Sequence, residues 1–217
     1  MTSTNILIID LSLGNLGSLA SFFEREGIPY GILSSPPKKE DAFSHIVLPG
    51  VGSYQHGADN LTTQWREYIA STRDTLPLLG ICLGMQLLST AGDEACPEGS
   101  FAAGLNLIPG FVSKITVESD SIHLPHMGWN SIDICPKYAT DALFHSIQDK
   151  SDFYFVHSYC YHPDSPLDIV STTNYGSVFP SIIANRALNV YGTQFHPEKS
   201  QTIGRQLLIN FVERINA

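Results

Sequence analysis

The chain has 217 residues, of which 43% are hydrophobic and 15% charged, a composition typical of an ordered globular protein with a full core. Its formal net charge of −9 argues against nucleic-acid backbones and anionic membranes as partners. The cysteines form no C-x-x-C pair, and the first apolar run, Ile6–Ile9, is too short for a signal peptide or membrane span. We therefore expect a single cytoplasmic domain over residues 1–217.

Strands that alternate with helices are predicted in the first half of the chain. The predicted strands are Asn5–Asp10, Tyr30–Leu33, His45–Leu48 and a run that leads into Cys82, and the predicted helices are Leu16–Glu26, Asn60–Arg73 and Leu83–Thr90. This alternation is typical of a parallel sheet with right-handed crossovers and helices on both faces.

The second half of the chain is rich in short β-branched and aromatic runs separated by turn residues. The predicted strands are Phe111–Val117, Trp129–Ile134, Phe153–Tyr161, Ile169–Thr173, Ser177–Ala184 and Val190–Gln194, and a closing helix is predicted over Thr202–Arg214. The sequence therefore predicts an α/β fold. We expect an open, mixed and mainly parallel sheet with helices on both faces, and antiparallel hairpins in the second half.

The segment Gly80-Ile81-Cys82-Leu83-Gly84 follows an apolar strand and precedes a helix. This layout is the thiol counterpart of the G-x-S-x-G nucleophile elbow. Glycines on both sides of the turn leave room for the strand and the helix to meet, and the start of the helix favours a thiolate. A lone cysteine here would more often be a buried core residue, but the flanking glycines favour a nucleophile.

A base for the thiol is predicted at His196, in the run Phe195-His196-Pro197-Glu198. His196 follows a strand and so lies at the sheet edge where ligands bind in open α/β folds. Glu198 is placed to accept the Nδ1 proton and to direct Nε2 towards the sulfur. The alternative is a capping turn with a surface glutamate.

Attack by a thiolate on a carbonyl creates an oxyanion, which needs fixed donors. One predicted donor is the backbone N–H of Leu83, directly after the nucleophile. The second is predicted in the turn Gly50-Val51-Gly52, which follows the third strand at the same sheet edge. A phosphate-binding loop is the alternative for this turn, but no G-K-[ST] follows it.

In this order and at these separations, Pro49–Gly52, Gly80–Leu88 and Phe195–Ser200 resemble the class I, triad-type glutamine amidotransferases. Pro125–Asn130 and Tyr154–Tyr159 resemble the glutaminase subunits of imidazole glycerol phosphate synthases. The similarity extends over nearly the whole chain. It implies hydrolysis of L-glutamine to glutamate and ammonia through a cysteine thioester, with no cofactor or metal.

Carried over residue by residue, the resemblance assigns a role to each part of the site. Cys82 becomes the nucleophile, His196 the general base and acid, and Glu198 the carboxylate that orients the histidine. The oxyanion donors become Gly50, Val51, Gly52 and Leu83, and the substrate-binding residues become Gln86, Glu94, Ser158 and Tyr159. The chain departs from the usual family sequence around Asp93 and Glu94, so either carboxylate remains a candidate for binding substrate.

The resemblance also implies a heterodimer with a cyclase or synthase subunit of (β/α)₈ type, which receives the ammonia. The residues predicted to face this partner are Asn15, Pro125, His126, Met127, Tyr154 and Lys199. For Met127 the alternative is packing in a core hairpin, and for Lys199 it is an ordinary solvated lysine. The family position of His123 often holds lysine, and this departure weakens the assignment of the ammonia acceptor.

The motifs leave three functions to be distinguished. The first is a glutaminase subunit that supplies ammonia for histidine biosynthesis, with the amidination of a surface-polysaccharide sugar as the alternative acceptor reaction. The second is a partner-independent cysteine hydrolase that cuts γ-glutamyl or peptide bonds. The third is a non-catalytic binding module, against which the intact set of Cys82, His196 and Glu198 argues.

Overall fold

The structure is a computed structural model that describes residues 4–14, 16–38, 43–117 and 122–215. In the first half the elements are β1 (Ile6–Ile9), α1 (Leu16–Glu26), β2 (Tyr30–Leu33), β3 (His45–Gly50), α2 (Tyr54–Asn60), α3 (Thr63–Thr72), β4 (Leu78–Cys82) and α4 (Leu83–Gln86). They are followed by β5 (Ala91–Gly92), β6 (Ala102–Ala103), β7 (Gly110–Lys114), β8 (His126–Ser131), β9 (Asp133–Ile134), β10 (Asp152–His157), β11 (Tyr159–Pro163), β12 (Ile169–Tyr175), β13 (Ser177–Asn185), β14 (Val190–Thr193) and α5 (Gln201–Arg214).

The central sheet has the strand order β2-β1-β3-β4-β14-β13-β12-β9. The pairs from β2 to β14 are parallel, and those from β14 to β9 are antiparallel. Two smaller sheets accompany it, an antiparallel β8–β10 pair and a sheet of order β11-β7-β5-β6. The predicted mixed α/β fold, with a mainly parallel sheet and antiparallel strands in the second half, is confirmed.

Helices cover both faces of the central sheet because its strands are apolar on both sides. In β1, Ile6 and Ile8 belong to the core that contains the buried residues of α1 and α5. Leu7 and Ile9 face the other core, which contains those of α2 and α3. Among the described residues, no helix is long and apolar enough to cross a membrane.

Two helices differ from their predictions. The helix predicted over Asn60–Arg73 is α3, which begins after Thr62, whose hydroxyl accepts a hydrogen bond from the Trp65 N–H. It is preceded by α2, a short helix that was not predicted. The helix predicted over Leu83–Thr90 ends at Gln86. The carbonyls of the next three residues instead accept hydrogen bonds from the distant backbone N–H groups of residues 105–108. These long-range bonds replace the helical ones, and the local sequence does not reveal them.

Two predicted strands are each divided between different sheets. The run Phe153–Tyr161 breaks at Ser158, so that β10 pairs with β8 and β11 pairs with β7. The run Trp129–Ile134 is likewise divided into β8 and β9, and β9 joins the central sheet through β12. The break at Ser158 matters for the site, because it forms one wall of the pocket described below.

Candidate active site

Cys82 lies at a sharp turn between β4 and α4. Its backbone has φ +54° and ψ −109°, a conformation that costs energy for a residue with a side chain and is found mainly at functional sites. The flanking glycines make the turn possible. A Cβ at Gly84 would overlap the carbonyl oxygen of Leu48, and one at Gly80 would come within 2.6 Å of the Gly84 oxygen. The local geometry is therefore that of the predicted nucleophile elbow.

His196 and Glu198 follow β14, the strand that pairs in parallel with β4. The Nδ1 atom of His196 lies 2.8 Å from Oε1 of Glu198, and both side chains are buried. Burial disfavours a charged imidazole, but the neighbouring Cys82 sulfur and the Glu198 carboxylate outweigh it and raise the pKa of His196 to about 10. The site therefore favours an imidazolium at His196.

The backbone of His196 is fixed by β10 and by Ser200. Its N–H donates to the Tyr154 carbonyl at 2.9 Å, and its carbonyl accepts from the Ser200 hydroxyl at 2.6 Å. The same hydroxyl oxygen accepts from the Tyr154 N–H at 2.9 Å. The backbone of His196 is thus held from both sides, and the sequence analysis assigned no role to Ser200.

The turn Gly50-Val51-Gly52 lies beside the elbow, since Gly50 pairs with Cys82. The Val51 N–H donates to the Leu13 carbonyl at 2.8 Å, so in this structure it is engaged by that loop. Gly52 has φ +111°, where glycine is strongly favoured. The N–H of Leu83 lies in the first turn of α4, where backbone donors have no partner within the helix.

A pocket of about 160 Å³ opens over the nucleophile. It is lined by Val51, Gly52, Cys82, Gln86, Glu94, Val156, His157, Ser158 and Tyr159. The structure therefore brings together Cys82 and all four residues that were predicted to bind substrate. His157 was not predicted here.

Glu94 is the carboxylate in the pocket, whereas Asp93 is exposed and does not line it. Oε2 of Glu94 accepts a hydrogen bond from the Tyr54 N–H at 3.0 Å. Burial raises the pKa of Glu94, although this hydrogen bond opposes the rise and the charge of Asp93 adds to it. Of the two carboxylates left open by the sequence, the geometry favours Glu94.

Gln194 is a second glutamine at the site that the sequence analysis missed. Nε2 of Gln86 donates to the Tyr159 carbonyl at 3.0 Å and to Oε1 of Gln194 at 3.1 Å. This leaves Nε2 of Gln194 to face the sulfur of Cys82 at 3.8 Å. A signal was available, because Gln194 ends the predicted strand that leads to His196 and lies only two residues before it.

The residues predicted to face a partner do not all lie at the surface. Met127 is 60% exposed, and Pro125 is exposed as well. Tyr154 and Lys199 are half-buried, and Asn15 lies outside the described residues. The prediction for the His126 side chain was wrong, since it is only 2% exposed and stacks on Phe155 and Tyr175.

Metal binding has no support in the part of the chain that the structure describes, where no group of three or more His, Cys, Asp or Glu residues could hold an ion.

Known proteins resemble the chain in sequence and in fold. An imidazole glycerol phosphate synthase subunit HisH 1 from Prochlorococcus marinus is 40% identical over 214 residues, covering 95% of this chain and 96% of that protein. A HisH subunit from Methanocaldococcus jannaschii is 42% identical over 209 residues, covering 95% and 97%. A solved glutamine amidotransferase from Thermotoga maritima has a TM-score of 0.68 at 17% identity, and the match covers 99% of each chain. At that identity the likeness shows the fold alone.

The elbow cysteine, its histidine and its glutamate define an α/β enzyme of the cysteine-dependent amidohydrolase type. A family model described as class-I glutamine amidotransferase matches residues 9–215. The chain belongs to the class I glutamine amidotransferase family and, within that family, groups with the HisH subunits.

Proposed function

We propose that the chain is the glutaminase subunit of an imidazole glycerol phosphate synthase and hydrolyses L-glutamine to glutamate and ammonia. The observation that carries the proposal is the buried arrangement of Cys82, His196 and Glu198 beside a pocket that contains one carboxylate, Glu94. A free amino acid needs a fixed anion for its ammonium group and polar atoms for its carboxylate. Its HisH relatives are named as subunits of that synthase.

In the proposed reaction the Cys82 thiolate attacks the side-chain amide carbon of glutamine, and the carbonyl oxygen becomes an oxyanion. His196 gives its proton to the amide nitrogen, the C–N bond breaks, and ammonia leaves a glutamyl thioester on Cys82. His196 then takes a proton from water, whose oxygen attacks the thioester carbon. The C–S bond breaks, which releases glutamate and restores the thiolate and the imidazolium.

The oxyanion needs a donor at the turn Gly50-Val51-Gly52, where the Val51 N–H is directed to Leu13 in this structure. We propose that rotation of the Gly50–Val51 peptide turns this N–H towards the substrate when the partner binds. Free ammonia would be protonated in neutral water and lose its nucleophilicity. A sealed interface with a (β/α)₈ cyclase subunit keeps it neutral and delivers it to the acceptor.

The test measures glutamate release from glutamine by the full chain, alone and with the cyclase subunit. We expect low activity alone and a rise of about 10²-fold or more with the partner, the usual effect of one oxyanion donor. Cys82→Ala is expected to remove activity in both cases, whereas Cys135→Ser, a change at a half-buried thiol outside the pocket, keeps it. Unchanged glutamate release by the Cys82→Ala variant would contradict the mechanism, and stimulation by a sugar-amidinating synthase instead of the cyclase would contradict the acceptor.

A further inference from the structure

Two buried histidines, His157 in the lining of the pocket and His126 beside it, have no part in the proposed reaction. His126 on β8 and His157 at the end of β10 are 2% and 7% exposed, and they are directly paired across the two strands. Nδ1 of His126 lies 3.1 Å from Nε2 of His157. A hydrogen bond between two imidazoles requires that one ring donates and the other accepts.

The direction of this hydrogen bond follows from the next partner of His157. Its Nδ1 atom lies 2.8 Å from the Tyr159 carbonyl oxygen, and a carbonyl can only accept, so Nδ1 carries a proton. In a neutral ring Nε2 then has a lone pair. His126 must therefore donate from Nδ1 to His157, which leaves the Nε2 atom of His126 as an acceptor.

Asn130 supplies the matching donor at the other end. Its Oδ1 atom accepts a hydrogen bond from the Ser131 N–H at 2.9 Å, which fixes the orientation of the amide. Its Nδ2 atom donates to the Asn174 carbonyl at 3.1 Å and lies 3.2 Å from Nε2 of His126. Every donor thus meets an acceptor, and the hydrogen bonds run in one direction from Asn130 to Tyr159.

The surroundings keep both histidine rings neutral. Burial lowers the pKa of His126 to about 4, and the rings packed against it are those of Phe155, Tyr175 and Phe179. Burial also lowers the pKa of His157 to about 3, with the nearby rings of His126 and His196 adding to the effect and the Tyr159 carbonyl opposing it. A charged His157 would have no lone pair to accept from His126. This series of hydrogen bonds therefore requires a neutral His157.

This series of hydrogen bonds ends in the pocket. The Tyr159 carbonyl also accepts from Nε2 of Gln86, which donates to Gln194, and Gln194 faces the Cys82 sulfur. Tyr159 begins β11 directly after Ser158, where the backbone passes from the β8–β10 sheet to the sheet of β7, and it is paired there with Lys114. The donors at the Tyr159 carbonyl therefore add to the strand pairing at this part of the pocket wall.

We propose that His126 and His157 are positioning residues of the glutamine pocket, which hold the Tyr159 carbonyl, and through it the Gln86 side chain, by hydrogen bonds donated in one direction. The inference rests on the proposed glutaminase function and extends it to residues that touch neither the nucleophile nor its base. It predicts an effect on glutamine binding, seen in KM, with little effect on kcat.

Two substitutions of His126 separate this role from simple packing. His126→Phe keeps a ring between Phe155 and Tyr175 but loses the donor, and we expect KM for glutamine to rise about tenfold with kcat within about twofold. His126→Asn loses the ring but keeps an N–H close to the position of Nδ1, and we expect KM within about threefold of the wild type. The opposite order of KM values would overturn the proposal, because it would show that ring packing is what matters.

His45 provides a matched control, because it is a buried histidine at the amino end of β3, whereas Cys82 lies at the carboxyl end of the neighbouring strand β4. Its Nε2 atom contacts the Ile215 carbonyl at 2.8 Å. We expect His45→Phe to lower stability without raising KM. A similar rise in KM in this variant would attribute the effect to general loosening of the fold and would overturn the proposal.

Nitrogen-15 NMR of the histidine rings in the full wild-type chain tests the hydrogen-bond direction without relying on catalysis or on any variant folding. Both His126 and His157 are expected as neutral Nδ1–H tautomers at pH 7, whereas free histidine favours Nε2–H. A proton on Nε2 of His157 would overturn the proposal. If wild type with its cyclase releases no glutamate, the proposed function fails, and these spectra still decide the direction of the hydrogen bonds.

Discussion

The protonation of His196 is set by two buried neighbours, the Cys82 sulfur and the Glu198 carboxylate. Burial alone would keep His196 neutral, as it does His126 and His157. The Cys82 sulfur and the Glu198 carboxylate reverse that preference for His196 and not for the other two rings. The three buried histidines therefore divide into one charged ring, for which we propose proton transfer, and two neutral rings, for which we propose a positioning role.

Replacing Glu198 with glutamine tests whether the carboxylate raises the pKa of His196. Glutamine keeps an oxygen for the Nδ1–H of His196 but removes the negative charge, so the pKa of His196 is expected to fall by about one unit or more. The measurement is an NMR titration of the His196 ring in the full chain. Glu213→Gln, at an exposed position on α5, is the control. An unchanged His196 titration in the Glu198 variant would contradict the role of the carboxylate.

The same substitution has a pH-dependent effect on stability. The pKa of His196 is raised in the folded chain, to about 10, from the value of about 6.5 expected when unfolded. Its contribution to the free energy of unfolding is therefore fully present below about pH 6.5 and is lost as the pH rises through about 10. The stability difference between wild type and Glu198→Gln is expected to shrink over that range in denaturant titrations.

At the level of secondary-structure elements, the site is built where parallel strands end. β3 leads into the turn Gly50-Val51-Gly52, β4 ends at Cys82, and β14 leads to His196, and these three strands are adjacent in the sheet. The sequence predicted this part well because short apolar runs, glycines at the turn and H-P-E are local signals. Adjacent parallel strands then bring the separate motifs to one edge.

The parts that the sequence did not predict depend on contacts between distant segments. The end of α4 is set by hydrogen bonds to residues 105–108, and the break at Ser158 is set by a change of sheet. His126 was assigned to the partner face through the resemblance, together with Pro125 and Met127, but strand alternation on β8 turns it inward. The pairing with His157 depends on the register between β8 and β10, which a single sequence does not determine.

The turn Gly50-Val51-Gly52 can be tested through its proposed oxyanion donor, the Val51 N–H. Val51→Pro removes the backbone N–H that donates to Leu13 in this structure and that we propose stabilises the oxyanion. Partner-stimulated kcat is expected to fall by about 10²- to 10³-fold, whereas Val51→Ala, which keeps the N–H, is expected to stay within about threefold because only side-chain contacts are lost. Steady-state glutamate release with saturating cyclase checks both variants. If the proline variant keeps partner-stimulated activity, the donor lies elsewhere.

At the scale of the whole molecule, the β8–β10 sheet carries exposed apolar side chains and also contacts the backbone of His196. Trp129 on β8 is 48% exposed and Met127 is 60% exposed. Across the pair, Trp129 lies opposite Tyr154, whose backbone fixes His196 and Ser200, and Met127 lies opposite Val156 of the pocket wall. A partner that covers these residues would therefore contact strands that position both the base and the pocket.

This arrangement predicts that Trp129 is a binding hot spot for the cyclase subunit. Large aromatic side chains at the centre of an interface typically contribute 2 kcal/mol or more, so Trp129→Ala is expected to weaken binding about 30-fold or more. Calorimetric titration of the full chain with the cyclase measures the affinity, and glutamate release without partner measures the basal activity, which is expected to persist. Leu167→Ala is the matched control, because Leu167 is 67% exposed and lies outside the β8–β10 sheet. Equal losses of affinity in the two variants would place the partner elsewhere on the surface, and a selective loss with Trp129 would tie the apolar face to partner binding.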